Sequence, residues 1–204
     1  MKPFENVKSI VTPLDKVNVD TDQIIPKQFL KLVQKSGFGK FLFFNWRYDE
    51  NENMKSDFIL NDPKYDGSKI LVVGDNFGCG SSREHAVWAL DDYGFSVIIS
   101  SSFADIFFSN CFKNGILPIS LEPKIVAKLL QETSPIEIDL ENQIIFSVDS
   151  EIAHFDIDPF RKKCILEGLD EIGLSLTHSE QIKEFEKNRI LDSPWIFINE
   201  KENG

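Results

Sequence analysis

The chain has 204 residues, which is the length of one domain able to bury a hydrophobic core of its own. Hydrophobic residues make up 42% of the chain, and no apolar run approaches the length of a membrane span, which argues against an integral membrane protein. Acidic residues outnumber basic residues by 33 to 22 without any basic tract, so nucleic acid and anionic membrane surfaces are not expected as partners.

The N-terminal third, residues 1–68, is predicted to start as extended chain, with strand-like segments at 8–11 and 17–19 and a polar turn at 20–22. A helix is predicted near residues 28–35. Residues 37–54 are dense in aromatic side chains and end in a polar tip, which we interpret as a packed excursion whose aromatics belong to the core and do not stack on a ligand. The first residues lack the features of a signal or transit peptide, so we expect a cytoplasmic protein.

The middle of the chain, residues 69–122, alternates strands and helices. We predict strands at 70–73, 97–99 and 116–121, with helices at 82–93 and 103–113 between them. Gly94 and Gly115 are expected to end the two helices, and Ser102 to cap the second. Because successive strands connected through helices pair in parallel, this part predicts a parallel sheet.

The remaining part, residues 123–190, begins with a predicted helix at 123–132 and continues with a hairpin of strands 136–140 and 144–148. A further strand is expected at 152–157. Asp158 followed by a proline predicts the start of a helix that ends at Gly168, and a last helix is expected at 179–188 before the tail 191–204. No repeat or linker divides the sequence, so residues 1–204 are predicted to form a single domain.

The segment from Gly74 to His85 joins a predicted buried strand to a helix and carries the chemistry. Its three glycines let the backbone turn tightly and approach a ligand. Ser81 and Glu84 have capping-box spacing, and Arg83 adds a planar donor fork at the expected positive end of the helix. We interpret the segment as an anion site. The alternative is that Ser81 only caps the helix and Arg83 only pairs with a surface acid.

The glycine spacing matches neither a P-loop nor a dinucleotide-binding motif, and Ser81 lacks the flanking glycines of a hydrolase elbow. These mismatches disfavour nucleotide binding and serine-hydrolase chemistry. His85 falls within the first predicted helical turn, which favours a supporting role over that of a base.

Three ordered motifs, at 78–85, 102–106 and 114–118, resemble the swivelling domain of the aconitase superfamily. Further segments resemble bacterial small subunits of 3-isopropylmalate dehydratase, and these lie at 20–26, 41–46, 88–90 and 168–174. The resemblance extends over about residues 4–190. It implies an α/β fold with three layers, β/β/α, in which a mainly parallel sheet is accompanied by a smaller antiparallel one.

The resemblance implies a hydro-lyase subunit, inactive without its large subunit, that takes part in the isomerisation of 2-isopropylmalate to 3-isopropylmalate through 2-isopropylmaleate in leucine biosynthesis. It implies that Ser81 is the base and that Arg83 grips a carboxylate of the dicarboxylate substrate. The residues expected to bind substrate with Arg83 are Ser82, Gly80, Asp22 and Lys31, and those expected to support the site are Gly78, Cys79, Glu84 and His85.

The family's [4Fe–4S] cluster is expected on the large subunit, and no metal ligand is expected in this chain. The three cysteines, Cys79, Cys111 and Cys164, lack the short spacings usual in cluster motifs, and the last two have the surroundings of core residues.

The choice of substrate stays open. Tricarboxylate-binding relatives carry an arginine about a dozen residues after the acid that matches Asp22, whereas residues 27–35 contain none. This difference favours isopropylmalate over a tricarboxylate as the substrate. Lys31 is the residue that could substitute for the missing arginine. Methylmaleate, citramalate or homocitrate-type acids are the enzymatic alternative, and a free-standing carboxylate sensor is the non-enzymatic one.

Overall fold

A computed structural model describes residues 1–30, 36–148 and 150–196 of the chain. Eight strands and eight α-helices lie within these residues. The strands are β1 Val7–Ser9, β2 Val11–Leu14, β3 Ile70–Val73, β4 Val97–Ser100, β5 Leu117–Ser120, β6 Ile136–Asp139, β7 Ile144–Phe146 and β8 Glu151–His154. The helices are α1 Thr21–Ile24, α2 Phe44–Arg47, α3 Glu84–Tyr93, α4 Asp105–Asn114, α5 Pro123–Leu129, α6 Pro159–Glu167, α7 Glu171–Leu176 and α8 Ser179–Asp192. Among the residues so described, no helix has the length and apolar character needed to cross a bilayer.

The parallel sheet has the strand order β2-β3-β4-β5. One row of paired residues runs across it through Val11, Ile70, Val97 and Leu117. β3 and β4 are buried along their whole length, as their uninterrupted apolar sequences require when both faces of a sheet are covered. The predicted parallel pairing of the middle segment is confirmed, and β2 extends it at one edge.

The antiparallel sheet has the strand order β1-β6-β7-β8, so the chain returns to its N-terminus to complete it. β6 and β7 form the predicted hairpin, with Ile138 opposite Ile145. β8 corresponds to the strand predicted at 152–157, and it begins one residue earlier and ends at His154. Both sheets therefore have four strands within the described residues.

Alternate residues of the parallel sheet enter two separate hydrophobic cores. Leu71 and Val73 pack against the side that contains α3 and α4, whereas Ile70 and Val72 pack toward the antiparallel sheet. Successive side chains of a strand point to opposite faces, so the parallel sheet must lie between the helices and the second sheet. This arrangement confirms the expected three-layer α/β fold.

The aromatic segment after residue 36 packs into the helix-side core. Phe38 and Phe43 are fully buried, and Trp46 packs partly buried against the same core with its ring 5.4 Å from that of Phe43. Residues 50–53 at its tip are exposed. The interpretation of these aromatics as core residues is confirmed.

The N-terminal third differs from the expected extended chain. Residues 17–19 are not a strand, and residues 21–24 form the single-turn helix α1 because Asp20 and Gln23 make a complete capping box. A 3-10 turn, Lys27–Phe29, stands at the start of the helix predicted at 28–35, whose residues 31–35 lie outside the described part of the chain.

The two helices of the middle segment each begin two residues later than predicted. Gly94 and Gly115 end them in the left-handed conformation, as expected. The predicted cap at Ser102 is wrong, because its hydroxyl donates to the carboxylate of Asp75 and α4 starts only after Ala104.

The predicted C-terminal helices are present, together with one additional helix and a longer last helix. Asp158 caps α6 by accepting from the backbone N–H of Arg161, and Gly168 ends that helix. α7 was not predicted, and α8 continues four residues beyond the predicted end. Neither α7 nor α8 has a buried residue, so these helices extend along the outside of the molecule.

Candidate functional site

The loops that follow β2, β3 and β4 meet at the carboxyl edge of the parallel sheet. Asp20 forms a parallel bridge with Cys79, and Phe77 forms one with Phe103, so the order of the sheet continues beyond its strands. The carboxyl ends of strands in open α/β sheets are where ligands usually bind. The segment 74–83 therefore lies in the middle of the expected binding edge.

Two glycines of this segment have backbone and steric reasons to be glycine. Gly78 has a φ of +76°, and a Cβ built there would lie 2.1 Å from Cγ of Phe107. Gly80 has a φ of +86°, and its Cβ would lie 3.3 Å from Cβ of Asp20. The positive φ angles and the close approaches favour glycine at both positions.

A cavity of about 220 Å³ opens at this edge. It brings Ser81 and Arg83 together with the backbone of Gly78 and Gly80, whereas Ser82 and Asp22 are not among its lining residues. Ser81 and Ser82 are exposed to solvent. The other lining residues come from α1, which contributes Thr21, and from the start of α4, which contributes Ala104, Asp105, Ile106 and Phe107.

Arg83 is paired with Asp22 across the cavity wall. One guanidinium nitrogen, Nη1, contacts Oδ1 of Asp22, and Nη2 donates to Oδ2 at 3.1 Å. Only 11% of the Arg83 side chain is exposed, and Nζ of Lys27 lies 3.5 Å from the same carboxylate. The Arg83 hydrogen bond holds the pKa of Asp22 below its usual range. The guanidinium thus has a fixed orientation and an acid partner.

The predicted capping box between Ser81 and Glu84 is wrong. α3 begins at Glu84 with Arg83 as N-cap residue and without a capping side chain. The Glu84 carboxylate instead accepts a hydrogen bond of 3.0 Å from Nδ2 of Asn114, whose Oδ1 accepts one of 2.9 Å from Nε1 of Trp88. Local spacing allowed the box, but the close packing of α3 against α4 offered Glu84 another donor.

His85 packs against two aromatic side chains. Its ring lies 4.5 Å from that of Trp88 and 5.4 Å, edge-on, from that of Phe38. His85 does not line the cavity. These contacts agree with a supporting role, which the sequence predicts.

The base of the loop is held by a polar network that the sequence did not indicate. Ser102 and Ser101 both donate to the carboxylate of Asp75, and the Ser102 contact lowers the pKa of that acid. The hydroxyl of Ser100, which is buried, donates to the carbonyl of Gly74 at 2.7 Å. The loops after β3 and β4 are therefore tied together before they reach the cavity.

The cysteines of this chain do not fit a shared iron–sulfur cluster. Cys111 is completely buried in the helix-side core, where burial raises the pKa of its thiol well above the usual range. Burial also raises the pKa of Cys164 on α6, whereas Cys79 belongs to the loop between β3 and α3. A thiolate ligand at Cys111 would be strongly disfavoured in this environment. Across residues 1–30, 36–148 and 150–196, no group of three potential metal-binding side chains is found.

Sequence reasoning assigned no role to several residues that contact the site, among them Thr21 and Asn114. Thr21 lines the cavity and donates from Oγ1 to the carbonyl of Ser81 at 2.9 Å. Asn114 holds Glu84 at the start of α3. The spacing of Asp20 and Gln23 could have revealed α1, but the contact of Thr21 with Ser81 spans 60 positions and has no local signal. Lys31, predicted to bind substrate, lies outside the described residues.

Comparison with known proteins gives two family matches. Residues 1–124 match the aconitase C-terminal domain, and residues 171–199 match the C-terminal domain of the 3-isopropylmalate dehydratase small subunit. The second match falls largely on α7 and α8, which lie outside the two cores.

Curated relatives match over nearly the whole chain. A 3-isopropylmalate dehydratase small subunit of Nitrosomonas eutropha is 52% identical over 212 residues, covering 97% of this chain and 100% of the relative. Another, of Pelagibacter ubique, is 57% identical over 201 residues, covering 97% and 98%.

A solved structure of 3-isopropylmalate dehydratase from Methanocaldococcus jannaschii superposes with a TM-score of 0.64. It is 24% identical and covers 89% of this chain and 99% of its own, so it supports the fold. The full-length similarity to the curated relatives goes further: this chain belongs to the family of 3-isopropylmalate dehydratase small subunits.

Proposed function

We propose that this chain is the cytoplasmic small subunit of a hydro-lyase that isomerises 2-isopropylmalate to 3-isopropylmalate through 2-isopropylmaleate in leucine biosynthesis. The observation that carries the proposal is that Ser81 and Arg83 line one cavity at the carboxyl edge of the parallel sheet. The full-length similarity to dehydratase small subunits supports the choice of reaction.

Ser81 is the proposed base. In the dehydration, a proton leaves the carbon next to a substrate carboxylate and passes to the Ser81 oxygen, while hydroxide leaves the neighbouring carbon with its bonding electrons. Addition of water in the opposite orientation gives the other isomer. A serine hydroxyl is a weak base until it ionises, so its environment must favour the alkoxide. The groups proposed to provide this are the guanidinium of Arg83, a side chain that is 11% exposed and lines the same cavity, and the positive end of α3, which begins at Glu84.

Arg83 is the proposed carboxylate anchor. The pair with Asp22 uses two of the five N–H groups of the Arg83 guanidinium. Arg83 can therefore bind Asp22 and a substrate carboxylate at the same time. Asp22 contributes by fixing the plane of the guanidinium, and Ser82 and the backbone of Gly80 are proposed to bind the same carboxylate. Negative charge that develops next to this carboxylate is stabilised by donors already in place.

The chain is proposed to supply one side of the site only. The cavity of about 220 Å³ is smaller than the roughly 300–1,000 Å³ of typical ligand pockets and lies at an open edge. A large subunit is expected to close it and to carry the [4Fe–4S] cluster, because the cysteines here do not fit one. Residues 27–35 contain no arginine, which favours a substrate that carries an isopropyl group in place of a third carboxylate. Lys31 is proposed as the cation that could bind substrate from this segment.

Co-expression with the large subunit, followed by measurement of the unsaturated diacid intermediate, tests the proposal. Ser81→Ala is expected to lower kcat by about 10²–10⁴-fold, the usual contribution of a general base, and to leave assembly intact. Because Ser81 is exposed and caps no helix, this change should alter stability by less than about 0.5 kcal/mol. Ser82→Ala is the matched control and should mainly raise KM.

The same assay separates the alternatives. Competition among isopropylmalate, citramalate and homocitrate distinguishes substrates within this enzyme class. Wild-type turnover by Ser81→Ala would refute Ser81 as the base. Tight diacid binding by the isolated chain would favour a sensor, since half a site should bind weakly.

A further inference from the structure

The one-turn helix α1 holds the candidate loop through two neighbouring side chains. Asp22 binds the guanidinium of Arg83, and Thr21 donates a hydrogen bond of 2.9 Å from Oγ1 to the backbone carbonyl of Ser81. Adjacent residues of a single turn therefore contact the two residues to which the proposed function assigns the chemistry, Arg83 through its guanidinium and Ser81 through its backbone. The role of Asp22 follows from its charge, whereas that of Thr21 has to be argued from position.

Thr21 is a rigid point of attachment. The residue is only 2% exposed, and its backbone N–H donates to the carbonyl of Cys79 at 3.0 Å. α1 itself is fixed by the Asp20–Gln23 capping box at one end and by the fully buried Ile24 at the other. A hydroxyl on a side chain held in this way has little freedom to turn elsewhere.

The loop has little other support at this point. Within the described residues, the bond from Thr21 is the only hydrogen bond made by the backbone of Gly80, Ser81 and Ser82. Residue 80 is a glycine, and without a Cβ its backbone has more conformations available than any other residue would have. The direction of the Ser81 side chain depends on the plane of the peptide whose carbonyl Thr21 holds.

We propose that Thr21 is a positioning residue that sets the orientation of the Ser81 hydroxyl through this carbonyl. The inference rests on the proposed role of Ser81 as base. Thr21 itself takes no part in proton transfer, because its hydroxyl hydrogen is directed to the backbone. A displacement of about 1 Å in a reacting group can lower a rate by about a hundredfold, so a single hydrogen bond at this place is sufficient to affect turnover.

Three variants of Thr21 and one of Ser81 test the proposal in the assembled enzyme. Thr21→Val removes the hydroxyl and keeps the branched shape. Thr21→Ser and Thr21→Ala differ from each other by the hydroxyl alone, which provides a second comparison if valine disturbs folding. Ser81→Ala is measured in parallel. Steady-state kinetics gives kcat and KM, and gel filtration and circular dichroism report assembly and folding.

Loss of the hydroxyl should lower kcat about ten- to a hundredfold with KM changed less than about threefold, and Thr21→Ser should keep kcat within about threefold of wild type. The positioning role is overturned if the kcat of Thr21→Val is within twofold of the wild-type value. It is also overturned if the kcat of Thr21→Ala is within twofold of that of Thr21→Ser. Loss of activity in Thr21→Ser equal to that in Thr21→Ala also overturns it. A fully active Ser81→Ala variant would refute the proposed function. An inactive Ser81→Ala variant together with fully active Thr21 variants would refute only the positioning role of Thr21.

Discussion

Replacement of Gly78 by alanine tests whether the candidate loop is shaped by contact with α4. Gly78 has a φ of +76°, and the new Cβ would lie 2.1 Å from Cγ and 2.6 Å from Cβ of Phe107. Phe107 is 2% exposed and packs edge-on against Phe77 with 5.3 Å between the ring centroids. The ring therefore cannot move aside without disturbing its own neighbours.

The expected destabilisation has two parts. A left-handed backbone costs an alanine about 1–2 kcal/mol, and an additional methyl group in a packed core costs about 1–3 kcal/mol. Together they amount to about 2–5 kcal/mol. For a chain of this size, 1 kcal/mol corresponds to a shift in Tm of about 2–4 °C.

Gly67→Ala is the matched control, because Gly67 has a φ of +73° and a Cβ there would meet no atom within 4 Å. It should cost only the first part, about 1–2 kcal/mol. Urea unfolding of both variants gives the difference, which measures the contact with Phe107. Equal destabilisation in Gly67→Ala and Gly78→Ala would contradict the reasoning. So would a Phe107→Ala background in which Gly78→Ala costs as much as in the wild type.

Two further predictions concern the pair at the cavity and the cysteines. Because Arg83 lowers the pKa of Asp22 in the folded protein, their pair stabilises the fold above about pH 4 and its contribution is lost as pH falls through the lowered pKa. Wild-type unfolding free energy should therefore decrease more steeply than that of Asp22→Asn between about pH 5 and pH 2, and a constant difference between them would exclude this linkage. Cys111→Ala should leave the iron content and turnover of the assembled enzyme unchanged, since Cys111 is a core residue; loss of iron on metal analysis would make it a ligand.

The candidate loop shows where local reasoning succeeds and where it stops. Glycines at 78 and 80 predicted a tight turn, and both adopt positive φ. The spacing of Ser81 and Glu84 predicted a capping box that the structure does not contain: α3 begins at Glu84 with Arg83 as N-cap residue, and the Glu84 carboxylate accepts from Asn114 on α4. A side chain with a local partner can be assigned from spacing, but competition from a residue 30 positions away has no signature in the segment itself.

The sequence by itself determined the parallel pairing of the middle segment, the hairpin and several helix ends, whereas the three layers were implied only by the family resemblance. Continuous apolar strands require burial on both faces, and glycine stops and a proline after Asp158 define helix ends through local backbone chemistry. Only the tertiary structure decided that α1 exists as a helix beside the loop, that its Thr21 holds Ser81, and that Asp22 occupies the fork of Arg83. These contacts join residues about 60 positions apart, and they arise because β2 and β3 are neighbours in the sheet and bring their carboxyl ends together.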